Sequence, residues 1–243
     1  MQLVQHLLTL EYPGRGLILG MLGERCVGIY FVTVRSAASK AKKYVLSDDQ
    51  ASISVQTTNA RVMARGKLDL LQYTALRMGE KGFVIGNGRQ VDAVGLDQSS
   101  TAAERLTIDL GGWLYEDDTY RTPRITGCVM ENEEGITGAL HIIRSNEIGT
   151  ALRTAFPVGF ASGHGQLITT YRGENVRPTP SFQGSPIEVE FSESSLEALT
   201  QSVYDALAPK KGKEDLRLCV MGVAFEPTTK AYETQILHAP TEV

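Results

Sequence analysis

The chain has 243 residues, 42% of them hydrophobic and 21% charged, which is typical of a globular protein and fits one domain over residues 1–243. The formal net charge of −4 argues against a general electrostatic attraction for nucleic acid. No apolar run approaches the roughly 20 residues that a membrane helix needs, and the start, MQLVQHLLTLEYPGRG, lacks the basic segment of a secretory signal. We therefore expect a cytoplasmic protein that binds neither nucleic acid nor membrane.

The cysteines and histidines do not have the spacing of a metal site. Cysteine occurs three times, an odd number with no CxxC pair, and the four histidines form no HxxxH or HxH pair. This pattern predicts neither a disulfide framework nor a metal site. The apolar neighbours of the cysteines indicate small buried side chains at Cys26, Cys128 and Cys219.

Strand-like runs dominate the first ninety residues. They are rich in Val, Ile, Tyr and Thr and are separated by turn residues. In chain order they are GLILGML, VGIYFVTV, ASISVQTT, LLQYTALR and GFVIGN. The last two runs predict a hairpin, because only a short glycine-containing loop separates them.

Two helices interrupt the strands. The first is predicted over residues 99–114, after the cap signal Ser99-Ser100-Thr101, and the second from Ser194, with Glu197 completing a capping box. The expected apolar stripes are Ala102, Leu106, Leu110, Trp113 and Leu114 in the first helix, and Leu196, Leu199, Val203, Ala206 and Leu207 in the second.

The second half of the chain continues the strand pattern and completes the fold prediction. Its strand-like runs are RITGCVM, ITGALHII, QLITTYR, IEVEF and LRLCVMGVAF, and residues 173–185 are expected to form a loop within the domain. Nine or ten strands in hairpins with two covering helices predict an α+β fold with mostly antiparallel sheets. Two stacked sheets with helices outside would use this set of elements well.

The segment YEDDTYRTPRI, residues 115–125, combines both signs of charge with a rigid turn. Glu116 lies a few positions from Arg121 and Arg124, and Pro123 keeps Thr122 out of helical geometry. Such a turn can hold a carboxylate and a guanidinium over one polar ligand. The alternative is an acidic helix end followed by a solvated turn, in which Arg124 makes a structural ion pair.

Other polar segments admit a binding role or a structural one. GNGR at residues 86–89 offers Asn87 as donor and acceptor, with Asp92 beyond it, although Asn-Gly also favours a simple tight turn. Arg15 in YPGRG lies between glycines and can approach a phosphate or merely end a turn. The basic run RSAASKAKK, residues 35–43, suits one or two phosphates, or is a solvated loop.

These segments together resemble the archaeal-type IMP cyclohydrolase family and its bacterial relatives. The resemblance is carried by YPGRGLILG, the arginine-serine of VRSAASK, YTALR, GNGRQVD and above all YEDDTYRTPRI, in this order and spacing. After residue 130 it is weaker, with PSFQGSPIE as a further match. The resemblance implies a four-layered αββα fold like that of the Ntn hydrolases. It does not imply their chemistry, since Met1-Gln2 offers no N-terminal nucleophile.

The resemblance implies the last step of purine synthesis, in which 5-formamidoimidazole-4-carboxamide ribonucleotide closes its ring to IMP and loses water. This reaction requires no metal and no cofactor, and the expected partner is a purine ribonucleotide bound by a homo-oligomer. By position, Tyr73 and Glu116 match the family's active-site tyrosine and glutamate, and Asn87 is expected to orient the reacting amide. Phosphate and ribose are assigned to Arg15, Arg35, Ser36, Asp92 and Arg124, and to Lys40, where the family has an arginine.

Two other functions remain open on the same scaffold. The first is an Ntn-like amidohydrolase that acts on simple amides without a phosphate. The second is a nucleotide-binding protein without catalytic activity, which Lys40 and the weaker resemblance of the second half favour. Tyr73 and Glu116 also have structural alternatives, as a core aromatic residue and as a helix-end carboxylate.

Overall fold

Two antiparallel sheets contain all thirteen strands of the residues that the structure describes. A computed structural model of the protein describes residues 1–58, 72–96 and 100–240. In chain order the strands are β1 (Arg15–Leu22), β2 (Arg25–Thr33), β3 (Lys42–Leu46), β4 (Ser52–Thr57), β5 (Tyr73–Gly79), β6 (Gly82–Gly86), β7 (Arg124–Asn132), β8 (Gly135–Ser145), β9 (Ala151–Val158), β10 (His164–Thr169), β11 (Ile187–Glu190), β12 (Arg217–Glu226) and β13 (Ala231–His238). The first sheet has the order β11-β10-β1-β2-β12-β13, and the second runs from β3 to β9 in chain order.

Helices cover the outer face of each sheet. On the first sheet they are α1 (Leu3–Leu7) and α5 (Leu196–Ala206), and on the second they are α3 (Gln90–Ala93) and α4 (Ala102–Asp109). A further short helix, α2 (Ala37–Lys40), lies between β2 and β3 in the chain. The side chains of β1 alternate between the two faces of the first sheet: Leu17 and Leu19 join the core between the sheets, whereas Ile18 packs with α1 and α5. A third apolar cluster lies between the second sheet and the helices α3 and α4. The predicted α+β fold with four αββα layers is confirmed.

The strand prediction missed three of the four edge strands and found the fourth, β11, in the run IEVEF. Strands β3, β9 and β13 were not predicted, and each is an edge strand. Edge strands often carry polar and charged residues, because one of their two backbone edges is not paired with another strand. These residues interrupt the apolar pattern by which a strand is recognised. Strand β3 begins with Lys42-Lys43, and β9 contains Pro157, which a central strand does not tolerate.

Both predicted helices are present, with shifted boundaries. Thr101 caps α4 and forms the reciprocal capping box with Glu104, while Ser99 lies outside the described residues. Helix α4 ends at Asp109, so the predicted apolar stripe does not continue to Leu114, which is exposed. Helix α5 is capped by Ser195, whose side chain accepts from the backbone N–H of Ala198, so the predicted capping box of Ser194 with Glu197 was wrong.

Other predictions about the fold can be compared directly with the structure. The predicted hairpin corresponds to β5 and β6, with Gly79 opposite Gly82, and Leu70 and Leu71 of that prediction lie outside the described residues. The three cysteines are buried and free, and residues 173–185 form a loop. No helix in the described part of the chain is long and apolar enough to cross a membrane.

The core between the sheets gives a stability prediction with a matched control. Leu140 on β8 is fully buried in this core, whereas Leu152 on the neighbouring strand β9 is 38% exposed. Leu140→Ala is expected to lower the free energy of unfolding by about 2–5 kcal/mol, because a cavity remains between the sheets. Leu152→Ala should cost about 1 kcal/mol or less. Urea unfolding of both variants checks this, and equal losses would contradict the described packing.

Candidate active site

Polar side chains from distant parts of the sequence converge at one end of the two-sheet sandwich. In an antiparallel sheet the start of one strand lies beside the end of its neighbour. Strand β5 starts at Tyr73, β6 ends just before Asn87, and β7 starts just after the turn that carries Glu116. Arg15 starts β1 in the opposing sheet, and Lys42 starts β3. The fold therefore places all five at the same end.

A tight turn holds Glu116 in the protein interior. Its backbone N–H donates to the carbonyl oxygen of Thr122 at 2.9 Å, and Glu116 is only 4% exposed. Asp118 closes the turn, since its carboxylate accepts hydrogen bonds from both the N–H and the hydroxyl of Thr122. Pro123 follows and fixes the entry into β7. The segment that carried the sequence prediction is therefore a scaffold for one buried carboxylate.

Asn87 anchors that carboxylate to the sheet. Its Nδ2 donates to Oε1 of Glu116 at 3.1 Å and to the carbonyl oxygen of Pro123 at 2.9 Å. Its Oδ1 accepts from the backbone N–H of Ile125 at 2.8 Å and from Nε2 of Gln90 at 3.3 Å. Both amide protons and both acceptor positions of the side chain are thus used within the protein. This geometry favours a positioning role for Asn87 over the direct substrate contact expected from the sequence.

Three cations lie close enough to Glu116 to affect its ionisation. Burial raises the pKa of the Glu116 carboxyl above its usual range, against the opposing positive charges of Arg15, Arg124 and Lys42. Burial and the positive charge of Arg15 together lower the pKa of the Lys42 ammonium to about 8, and Glu116 opposes this shift. The Nε of Arg15 is buried and has no hydrogen-bond partner among the described residues. Since a buried donor without a partner is costly, this atom is suited to a ligand.

Three tyrosines surround these charges. The hydroxyl oxygens of Tyr73 and Tyr44 are 3.4 Å apart, and the fully buried hydroxyl of Tyr30 has no hydrogen-bond partner in the described part of the chain. Burial raises the pKa of Tyr73, and the positive charge of Arg15 opposes that shift. The phenols therefore remain protonated at neutral pH and can donate hydrogen bonds.

Arg124 supports the turn from the outer side of the second sheet. Its Nε donates to the carbonyl oxygen of Leu114 and its Nη1 to Oε1 of Gln90, both at 3.0 Å, and its guanidinium lies over the ring of Trp113. Gln90 in turn donates to Asn87 and to Thr126. Arg124 therefore holds the segment before Glu116 against α3 and β7 through two neutral acceptors and a ring, a structural role that differs from the ion pair weighed for it.

Apart from Lys42, the predicted residues of the basic run lie beside the cluster rather than within it. Arg35 stacks on the ring of Tyr12 at 3.9 Å and donates to Asn175, Val176 and Thr179, all neutral acceptors. Tyr12 stacks on Tyr171, whose hydroxyl is 2.9 Å from that of Thr122. The positive charge of Arg35 is thus connected to the Glu116 turn by two stacked rings.

The remaining predicted residues lie on the surface. Ser36 is exposed, and its hydroxyl accepts from the backbone N–H of Ser39 at the start of α2. Lys40 forms an exposed ion pair with Glu214 at 2.7 Å. Asp92 is exposed on α3, next to buried Gln90 and Val91, so the structure does not bring it to the cluster. Lysine at position 40 retains the charge that the resemblance associates with phosphate.

The model of the family described as "IMP cyclohydrolase-like protein" matches residues 12–224, from the turn before β1 into β12. The chain belongs to this family. It is also 31% identical, over 139 residues, to the IMP cyclohydrolase of Haloquadratum walsbyi (strain DSM 16790 / HBSQ001). That match covers 56% of this chain and 64% of the relative, so the chain spans less than two thirds of the length of the curated relative that it matches. The resemblance seen in the sequence is confirmed.

The family match contains the whole polar cluster, including residues that sequence reasoning missed. These are Tyr30, Lys42, Tyr44, Gln90, Thr122 and Tyr171. Lys42 lies in the basic run, but the sequence gave no reason to expect that Lys42 is buried while its neighbour Lys43 is exposed. Tyr30 and Tyr44 lie in apolar runs where an aromatic residue is expected in any core. Only the pairing of strands and the stacking of the two sheets place both residues beside Tyr73.

The arrangement combines a carboxylate of raised pKa with neutral phenols and a lysine of lowered pKa in a largely buried space. Such a set can remove a proton from a weakly acidic nitrogen and give one to an oxygen at neutral pH. Arg15 adds a fixed positive charge where negative charge develops during an addition to a carbonyl group.

Proposed function

We propose that the protein is an IMP cyclohydrolase, which closes the ring of 5-formamidoimidazole-4-carboxamide ribonucleotide to IMP with loss of water. The observation that carries the proposal is the buried Glu116 carboxylate, held by Asn87 beside Arg15 and Tyr73 in a member of this family. Its raised pKa suits a base that works on an amide proton near neutral pH. The match to an IMP cyclohydrolase of an archaeon supports the same substrate.

Positioning supplies much of the rate in this reaction. The nucleophilic carboxamide nitrogen and the formyl carbon belong to one molecule, so the protein has only to hold the reactive rotamer. Well-oriented intramolecular reactions gain about 7–11 kcal/mol over bimolecular ones. A rigid site is therefore of direct use, and the hydrogen bonds of Asn87 to Glu116, Pro123 and Ile125 supply that rigidity.

The proton transfers follow from the cluster. Glu116 accepts a proton from the carboxamide nitrogen as the C–N bond forms. Tyr73, neutral because it is buried, donates a hydrogen bond to the formyl oxygen as it becomes an alkoxide. Arg15 stabilises the same negative charge with its positive guanidinium, and its unpaired Nε offers a further donor to the substrate. The alkoxide then takes the proton from protonated Glu116, which returns this side chain to its ionised form, and loss of the resulting hydroxyl group as water completes the ring of IMP.

We place the phosphate of the substrate near the basic run, at the mouth of this site. Arg35 keeps an unneutralised charge because its hydrogen bonds go to neutral acceptors, and the stacked rings of Tyr12 and Tyr171 connect it to the Glu116 turn. Ser36 and Lys40 follow Arg35 in the chain and offer the phosphate a hydroxyl donor and an ammonium group, the latter now paired with Glu214. A phosphate and a guanidinium form strong charge-assisted hydrogen bonds.

A nucleotide panel combined with a turnover assay tests this function. At about 100 times its Kd, IMP is expected to stabilise the protein by about 2.7 kcal/mol, which corresponds to a rise in Tm of about 5–10 °C. Inosine, which lacks the phosphate, should raise Tm far less at the same concentration. The ring closure itself is followed by the change in ultraviolet absorbance when the formamido nucleotide becomes IMP.

The outcomes separate the possible functions of this scaffold. Stabilisation by IMP without ring closure would indicate a nucleotide-binding protein without this activity. Absence of any shift with IMP or AMP, together with hydrolysis of simple amides, would contradict the cyclohydrolase and indicate an amidohydrolase. Turnover of the formamido nucleotide with a phosphate-dependent Tm shift is the expected result.

A further inference from the structure

Lys42 is a buried cation at the centre of the candidate site to which the reaction above gives no role. It is the first residue of β3 and only 8% exposed, and its Nζ lies 6.0 Å from the centroid of the Tyr73 ring. Its charge is attracted by Glu116 and repelled by Arg15, so it lies within electrostatic range of both. A buried ammonium group is costly, and a lysine kept there beside a carboxylate and phenols indicates a use for its charge or its proton.

Lys42 also has a connection to solvent. It lines a cavity of about 570 Å³ together with exposed Lys43 and with Arg217 and His238 of the first sheet. One side of its surroundings is thus the reacting end of the sandwich and the other is a space large enough for water. A group in this position can give a proton to a bound molecule and recover one from the cavity.

We propose that Lys42 is a further catalytic residue, which donates the proton that lets the hydroxyl group of the cyclised intermediate leave as water. The assignment rests on the proposed function, since that intermediate is formed by ring closure. The C–O bond breaks, its electron pair leaves with the oxygen, and this oxygen takes a proton from Nζ of Lys42. Glu116 accepts the proton of the ring nitrogen that forms the new C=N bond. Proton exchange with water then restores both side chains.

The position of Lys42 relative to Tyr73 agrees with this role. The hydroxyl group that leaves contains the former formyl oxygen, to which Tyr73 donates a hydrogen bond in the proposed addition step. Lys42 lies above the ring of that tyrosine and therefore reaches the same side of the substrate. The lowered pKa of Lys42, about 8, makes its ammonium a stronger acid than a solvated lysine while it remains mostly protonated at neutral pH.

Other titratable and charged groups around Lys42 come from each element that packs against it. In addition to Glu116 and Tyr73 they are Arg15 of β1, Tyr30 of β2, Lys40 of α2, Lys43 and Tyr44 of β3, Asp215 and Arg217 at the start of β12, and His238 of β13. Burial and the positive charge of Lys43 keep the pKa of His238 below its usual value, and Asp215 is paired with Arg217. Lys42 is therefore the group expected to titrate near pH 8 in this set.

Variants at two adjacent lysines test the proposal. Lys42→Met is expected to lower kcat for ring closure by about 100-fold or more with little change in KM, because it removes the proton donor and keeps the length of the side chain. Lys42→Arg should not restore the rate, since arginine keeps the charge but does not release a proton at neutral pH. Lys43→Met, at the exposed neighbouring position, should keep the wild-type rate within about twofold.

The pH dependence and a direct titration distinguish a proton donor from a structural residue. In the wild type, kcat should fall as pH rises through about 8, where Lys42 loses its proton, and this alkaline limb should be absent in Lys42→Met. An NMR titration of ¹³Cε-labelled lysine, assigned with the Lys42→Arg variant, should show a midpoint near 8 without any need for activity. A midpoint near 10.4, as in a solvated lysine, would overturn the proposal.

The remaining outcomes separate this proposal from the proposed function. Wild-type rates in a folded Lys42→Met variant, or full rescue by arginine, would overturn the role of Lys42 and leave the cyclohydrolase intact. Absence of ring closure by the wild-type protein would overturn both. Thermal melting of each variant shows whether it is folded, so that a loss of rate is assigned to chemistry only in a folded protein.

Discussion

Glu116→Gln is expected to reduce kcat for ring closure by about 10²- to 10⁴-fold, the usual contribution of a positioned general base. Glutamine has the size of glutamate and its amide oxygen can still accept the hydrogen bond that Nδ2 of Asn87 donates. It has no lone pair basic enough to accept the carboxamide proton. The variant therefore removes the chemistry and keeps the geometry.

The stability of Glu116→Gln distinguishes this loss from damage to the fold. Because burial disfavours the charged form of Glu116, a neutral amide at this position should unfold at a similar or higher temperature. The control is Asp117→Asn at the exposed next position, which is expected to keep the wild-type rate. Steady-state assays and thermal melting of both variants check the prediction. An active Glu116→Gln enzyme would exclude Glu116 as the base.

The sequence was sufficient to predict the architecture, because most strands appear as apolar runs between turns and both main helices have apolar residues at helical spacing. The buried stripe of α5 and the cap signal before α4 are local features that can be read from the sequence alone. Three edge strands, β3, β9 and β13, lack such a pattern, since only one side of each pairs with a neighbour. For β13 and β9 the pairing with β12 and β8 determines the strand, and that pairing cannot be read locally.

The candidate site was predicted only where a polar segment stood out from its neighbours. Glu116 and Asn87 lie in turns rich in glycine, proline and charge, whereas Tyr30 and Tyr44 lie among apolar residues that look like any core. Arg124 and Asp92 also lie in or next to these turns in the sequence. Arg124 nevertheless supports the outer side of the second sheet, and Asp92 is exposed to solvent. The role of a side chain depends on whether its face of the strand or helix meets the site, the core or solvent. Tertiary packing determines this, and a short sequence segment does not show it.

Arg15→Gln is expected to move the acidic limb of the pH profile of kcat/KM upward by one pH unit or more. The base must be ionised to work, so activity rises as pH increases through the pKa of Glu116. Burial raises that pKa and Arg15 is the strongest opposing influence, so removal of the guanidinium raises the pKa further. A shift of one unit corresponds to about 1.4 kcal/mol of lost interaction with the carboxylate.

Arg15→Lys supplies the matched control, since it keeps a positive charge at the start of β1. Its acidic limb should lie between those of the wild type and of Arg15→Gln, because an ammonium group retains the attraction but loses the planar guanidinium. Part of the lost rate in Arg15→Gln should return at higher pH, up to the limb near pH 8 that we assign to Lys42. An unchanged acidic limb in Arg15→Gln would show that another group titrates there, and the assignment of Glu116 as the base would then be wrong. Recovery at higher pH would instead show that the charge of Arg15 lowers the pKa of Glu116, as expected for two buried groups at the same end of the sandwich.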